Sequence, residues 1–253
     1  MDEREAARHW EANAPDWVRL VRKGYDHSRD VVNTPAFLAL LPDVTGLRGL
    51  DLGCGEGHNT ALVAARGAHM IALDVATAMI RATAERGIPA VHASGLHLPL
   101  AAGSFDFTVA FMSLMDMPDH PRVLAEVHRV LRPGGFFQFS ISHPFQTPVW
   151  EWVRDPDGRK RGVICGDYFR ELAGDIEQWT FGAGQRAGEN ARPFRIPRFT
   201  HTLSTWLNLL LDAGFQIERA CEPTVDAATV AAHPQSYDHA IVPYFLQLRV
   251  RRA

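Results

Sequence analysis

Cysteine is scarce in this chain: there are three in 253 residues, Cys54, Cys165 and Cys221, and no CxxC pair. An odd, widely spaced set excludes a disulfide framework and a zinc ribbon and fits a reducing cytoplasm. Long apolar runs are missing as well. No stretch reaches the roughly 20 residues that a membrane-spanning helix needs. The opening MDEREAARHW is charged where a secretory signal would be basic and then apolar. Clustered positive charge is the third lack. Lys and Arg number 26 against 29 Asp and Glu, without the basic patches that affinity for a phosphate backbone requires. Membrane and nucleic-acid partners are therefore not expected. What the chain has is 46% hydrophobic and 22% charged residues, the balance of a globular protein. A chain of this length buries roughly 70% or more of its surface on folding and needs no staple.

From Leu47 onward, short apolar runs alternate with helical stretches. Strands are expected at Arg48 to Leu52, His69 to Asp74, Ala90 to Ala93, Phe105 to Met112 and Phe136 to Ser142. Helices are expected at Asn59 to Arg66, Ala76 to Arg86 and Pro121 to Leu131, the last ended by Arg132-Pro133-Gly134-Gly135. Gly67 and Gly87 follow two of these helices, where a left-handed residue favours glycine. Such alternation implies an α/β fold with a parallel sheet covered on both faces. Later, Leu203, Trp206, Leu207, Leu210 and Leu211 form one apolar helical stripe ending at Gly214, and strands follow at Phe215 to Cys221 and Tyr244 to Val250.

Two regions break the alternation. Residues 1–40 read as one or two helices interrupted near Pro15. The segment from Pro144 to about Phe199 is rich in Pro, Gly and charge yet holds Trp150, Trp152, Tyr168, Phe169, Trp179 and Phe181. A long irregular segment with this many aromatics reads as a substrate cap or a structural insertion rather than as disorder. The expected organisation is a single domain over 1–253. It has a helical lid (1–40), a cofactor-binding core (41–142), a cap (143–200) and a closing helix and strands (201–253).

The stretch Asp51-Leu52-Gly53-Cys54-Gly55-Glu56-Gly57-His58 sets a glycine-rich turn between a strand and a helix. Glycine there lets a ligand approach the backbone, and ligands settle at the carboxyl ends of strands in open α/β sheets. The spacing is Gly-x-Gly-x-Gly, with His58 where a dinucleotide fingerprint would place its third glycine, which counts against a nicotinamide cofactor. Asp51 suits a ligand presenting an ammonium group or reached through water. Asp74 ends the second strand, where a carboxylate can accept from both ribose hydroxyls of an adenosine.

These residues, with Leu98–Asp119 (LPLAAGSFDFTVAFMSLMDMPD) and Val123–Ile141 (VLAEVHRVLRPGGFFQFSI), resemble class I S-adenosylmethionine-dependent methyltransferases. The resemblance runs from about Leu47 to Ser142, and Phe199–Pro223 is similar to the closing helix and strand of the branch that includes ubiquinone- and menaquinone-pathway enzymes. It implies a Rossmann-like, seven-stranded, mostly parallel sheet whose last strand is antiparallel. It implies S-adenosylmethionine as cofactor, a small-molecule methyl acceptor, and a monomer or homodimer. It carries cofactor binding onto Asp51, Gly53, Cys54, Gly55, Gly57, Asp74 and the adjoining Val75. Many relatives place an acid after the third strand for the adenine amino group. Here Ser94, Gly95 and Leu96 must serve. Phe111, Met112 and Ser113 border the reaction centre.

Methyl transfer from a sulfonium is an in-line displacement that alignment and exclusion of water can drive, so a base is optional. His143 and His201 are the candidates for one, against an ordinary structural role for each. Tyr25, Ser113, Trp150 and Tyr168 are candidate acceptor contacts. Asp116 and Asp119 fall short of a metal site and read as helix caps, so no metal is expected. Cys54 reads as a small filler. Two alternatives stay open: an NAD-dependent oxidoreductase, and a protein that binds S-adenosylmethionine without turnover.

Overall fold

The computed structural model describes residues 1–146 and 149–253. Strand β1 (Arg48–Leu52) is buried at every position after Arg48, as a strand covered on both faces must be. It pairs in parallel with β2 (His69–Asp74) and with β4 (Phe105–Phe111). Beyond β2 lies β3 (Ala90–His92), and beyond β4 lies β5 (Leu131–Ser142), both parallel. The antiparallel β11 (Phe245–Arg252) joins β5, and β10 (Phe215–Cys221) joins β11. The order is β10-β11-β5-β4-β1-β2-β3, a seven-stranded sheet with one reversed strand, as the resemblance implied.

Helices α3 (His58–Ala64), α4 (Thr77–Ala84), α5 (His120–Val130) and α7 (Leu203–Asp212) cover it. On one face Phe137 and Phe139 pack with Leu124 and Val127 of α5 and with Trp206 and Leu210 of α7. On the other, Phe107, Val109 and Phe136 pack with Val63 and with Phe37 of α2 (Thr34–Leu40). Each such side chain contributes about 1.5–3 kcal/mol by leaving water. A polar bolt ties the segment before α2 to the sheet. The buried Asn33 carboxamide oxygen accepts from Ser140 Oγ at 2.8 Å and from Gln247 Nε2 at 2.9 Å. Gln138 Nε2 donates to the Phe37 carbonyl at 2.7 Å.

Three expectations change. Helix α1 (Glu3–Arg22) runs straight through Pro15 instead of breaking there. An interior proline costs about 3 kcal/mol. Burial of Ala14, Leu20 and Val21, the Asp2 cap, and acids in the first turn with arginines in the last offset that cost. The region expected to be irregular is built of hairpins: β6 (Val149–Arg154) with β7 (Lys160–Gly166), and β8 (Ala173–Trp179) with β9 (Phe194–Phe199), the second pair enclosing α6 (Gly182–Arg186). Charged residues that alternate with apolar ones are the period-two pattern of a half-exposed strand, which composition alone conceals. Finally, β5 begins at Leu131 and carries the Pro-Gly-Gly stretch within it, next to a register shift against β4.

Candidate active site

Beyond the carboxyl ends of β1 to β4 the sheet opens into a cavity of about 710 Å³, walled on the far side by α1 and by β8–β9. Its floor is the glycine turn. Gly53 takes φ +73°, and a Cβ there would overlap Ser113, whose hydroxyl donates to the Leu52 carbonyl at 2.5 Å and clamps the end of β4 to β1. Gly55 takes φ +55°, and a Cβ there would meet nothing within 4 Å, so this is where a ligand can reach the backbone. Gly57 faces Thr83 instead, making room for α4.

Asp74 closes the turn from β2. One carboxylate oxygen accepts from Gly55 N and the other from Ala76 N, both at 2.9 Å. A carboxylate accepts about four hydrogen bonds, so two places remain on a side chain that lines the cavity, suited to two adjacent hydroxyls. Burial raises its pKa to about 6, against the pull of the backbone donors. Asp51 sits beneath the turn and does not line the cavity. Its Oδ2 accepts from Thr60 Oγ1 at 2.6 Å, and burial raises its pKa to about 7. Cys54 does line the cavity, and burial pushes its thiol up, away from nucleophilic character.

At the other end, Met112 follows β4 with φ +54°, a conformation costly for a non-glycine residue and typical of functional strand ends. Ser140 holds it, its backbone carbonyl accepting from Met112 N at 2.9 Å. Past it, Asp116 and Arg198 face the cavity together, their nearest atoms 3.5 Å apart. Asp116 therefore does not cap α5; Asp119 does, accepting from Arg122 N.

Of the residues expected from sequence, Gly53, Cys54, Gly55, Asp74, Val75, Ser94, Gly95, Leu96, Phe111, Met112, Ser113 and Trp150 line this one cavity. His143 and His201 do not; they lie in a small adjoining pocket. His143 Nδ1 accepts from Phe145 N and its Nε2 bonds Glu222 at 2.8 Å. His201 is held between Glu171 and His120, each at 2.9 Å. Both rings are spent on holding loops. The Tyr168 hydroxyl accepts from Leu203 N at the start of α7, and Tyr25 donates to Glu189, so neither lines the cavity. Sequence reasoning missed the facing of Asp116 and Arg198, since 82 positions of chain separate them. It also missed Asn33, whose environment exists only once β5 and β11 are adjacent.

A family model described as a methyltransferase domain matches residues 50–139. A demethylmenaquinone methyltransferase of Corynebacterium urealyticum is 38% identical over 100 residues, 40% of this chain and 42% of that one. The chain thus spans less than half the length of that relative. A magnesium-protoporphyrin O-methyltransferase of Rhodobacter capsulatus is 31% identical over 161 residues, 60% of this chain and 71% of the other. Among solved structures, an S-adenosylmethionine dependent methyltransferase from Mesorhizobium loti superposes with a TM-score of 0.72 at 30% identity, covering 86% of this chain and 96% of that one. A relative aligned over nearly its whole length at 30% identity, together with the methyltransferase-domain match, leaves one assignment: the chain belongs to the class I S-adenosylmethionine-dependent methyltransferases.

Proposed function

We propose that this protein transfers the methyl group of S-adenosylmethionine to a small organic molecule held under the β8–β9 hairpin. The observation that carries this reading is the continuity of one cavity, from Ser94–Leu96 past Asp74 and Gly55 to Met112 and Asp116. Asp74 takes the ribose hydroxyls, Ser94 to Leu96 take the adenine, and Phe111 to Ser113 border the sulfur end. Asp51 supports the turn from below. Residues 1–40 and 143–200 serve as lid and cap over the 41–142 core, with 201–253 closing the sheet. Bound there, S-adenosylmethionine supplies a methyl group on a positively charged sulfur. The protein's part is to align the acceptor and exclude water.

The relatives that act on demethylmenaquinone and magnesium-protoporphyrin support a small-molecule acceptor. Thermal shift tests the cofactor: S-adenosylhomocysteine raises the melting temperature and NAD does not, because only a ligand of the native state stabilises it. Incubation with radiolabelled methyl donor and a metabolite extract tests turnover. Donor binding without transfer to any component would favour a non-catalytic binder.

A further inference from the structure

Buried acids in this protein come in two kinds. Glu126 accepts from Leu98 N and from Arg129 at 2.8 Å, and the Arg129 guanidinium holds its pKa down to about 2. That is a structural carboxylate with its needs met. Asp116 is the opposite. It is 9% exposed, it lines the cavity, and among the described residues its Oδ1 accepts no hydrogen bond. Arg198 faces it as an ion-pair partner, Nη1 lying 3.5 Å from Oδ1, while Nη2 gives to Ser142 Oγ at 2.8 Å and Nε lies 3.4 Å from Glu177. Leaving a buried acceptor unmet costs about 1–3 kcal/mol. An acid kept this way at the sulfur end of the cavity calls for a donor from a ligand.

We propose that Asp116 receives the proton released by a heteroatom acceptor, a nitrogen or oxygen bearing hydrogen. The inference rests on the methyltransferase reading. The sheet order puts the adenine end over β3 and the ribose over β2, so the sulfur end lies toward β4, whose following loop carries Asp116. The heteroatom lone pair forms the new bond to the methyl carbon, the carbon–sulfur bond breaks with its electron pair passing to sulfur, and the released proton goes to the Asp116 carboxylate. Arg198 is a positioning residue that fixes the carboxylate. The charged groups facing Asp116 are Arg198 from β9, Glu177 from β8 and Asp74 from β2. Burial outweighs Arg198 and raises the Asp116 pKa to about 7, suited to taking a proton near neutrality.

Sinefungin, which carries an amine on carbon where the donor carries its methyl on sulfur, tests this without knowledge of the acceptor. By calorimetry the wild type is expected to bind it at least about tenfold tighter than S-adenosylhomocysteine near pH 8, because the ammonium meets an ionised Asp116. That preference should vanish near pH 5.5 as the carboxylate protonates, and Asp116→Asn should abolish it while leaving S-adenosylhomocysteine affinity within about twofold. A preference insensitive to both pH and Asp116→Asn overturns the proposal. The pH arm uses the wild type and stands even where the variant fails to fold. A second arm offers radiolabelled donor with a phenol, an imidazole, a primary amine, a carboxylic acid and a 1,3-dicarbonyl. Transfer to the first three supports the assignment, whereas transfer to carbon or to a carboxylate alone, or to none of the five, counts against it. Failure of S-adenosylhomocysteine to bind at all would instead remove the methyltransferase reading itself.

Discussion

Single residues in the glycine turn carry distinct loads, and substitutions should separate them. Gly53→Ala adds a Cβ that overlaps Ser113, so it should lower the melting temperature and disturb the β1–β4 junction. Gly55→Ala meets no protein atom and should cost only about 1–2 kcal/mol of left-handed strain. It should nevertheless weaken S-adenosylhomocysteine strongly, because the new methyl group sits where the ligand approaches. Equal effects of the two on stability would contradict the division. Asp74→Ala removes two acceptors from the proposed ribose site and should raise the S-adenosylhomocysteine Kd by at least about tenfold, read by calorimetry. Unchanged affinity would remove the ribose assignment.

At the scale of elements, the walls of the cavity depend on one aromatic junction. Trp17 of α1 packs against Trp179 at the end of β8, Phe181, and Phe194 of β9, with ring centroids 5.7, 5.1 and 5.1 Å away. Its neighbour Trp10 lines the cavity along with Trp179. Helix α1 and the β8–β9 hairpin are thus packed together. Trp17→Ala should destabilise by about 2–3 kcal/mol, below the value for a fully buried tryptophan, and should weaken S-adenosylhomocysteine in parallel. Urea unfolding and calorimetry on the same variant check both. A stability loss with binding intact would show that α1 is not part of the cofactor's enclosure. Interruption near Pro15 was a fair expectation from local chemistry, but helix continuity was decided by what the apolar side of α1 buries.

For the whole molecule, the balance of buried acids sets a pH optimum. Burial raises Asp51, Asp74 and Asp116 to about 7, 6 and 7 from an ordinary value of 3.8. Groups raised on folding stabilise the fold fully below their ordinary pKa, and that contribution is lost as pH climbs through the folded values. Glu126, held down to about 2 from 4.5, acts in reverse: its contribution is present above 4.5 and lost as pH falls toward 2. The ligand-free protein should therefore be most stable in mildly acid solution and lose melting temperature between about pH 4 and 7. Asp116→Asn should flatten that decline, and a melting temperature rising steadily from about pH 6 to 8 would refute the attribution.

What the sequence determined by itself is local or periodic. The strands at Arg48–Leu52 and His69–Asp74, the turn between Leu52 and His58 and the stripe of α7 follow from side-chain period and turn glycines, each written within a few residues. The tertiary structure decided the rest. It sent His143 and His201 to hold loops, because Glu222 and Glu171 come near them only after folding. It set Asp51 beneath the turn, bonded to Thr60, and it brought Asp116 and Arg198 to the same cavity wall from distant parts of the chain. Burial and unmet hydrogen bonds are properties of the packed neighbourhood, so no reading of residue order alone could reveal which acids keep an oxygen without a hydrogen bond.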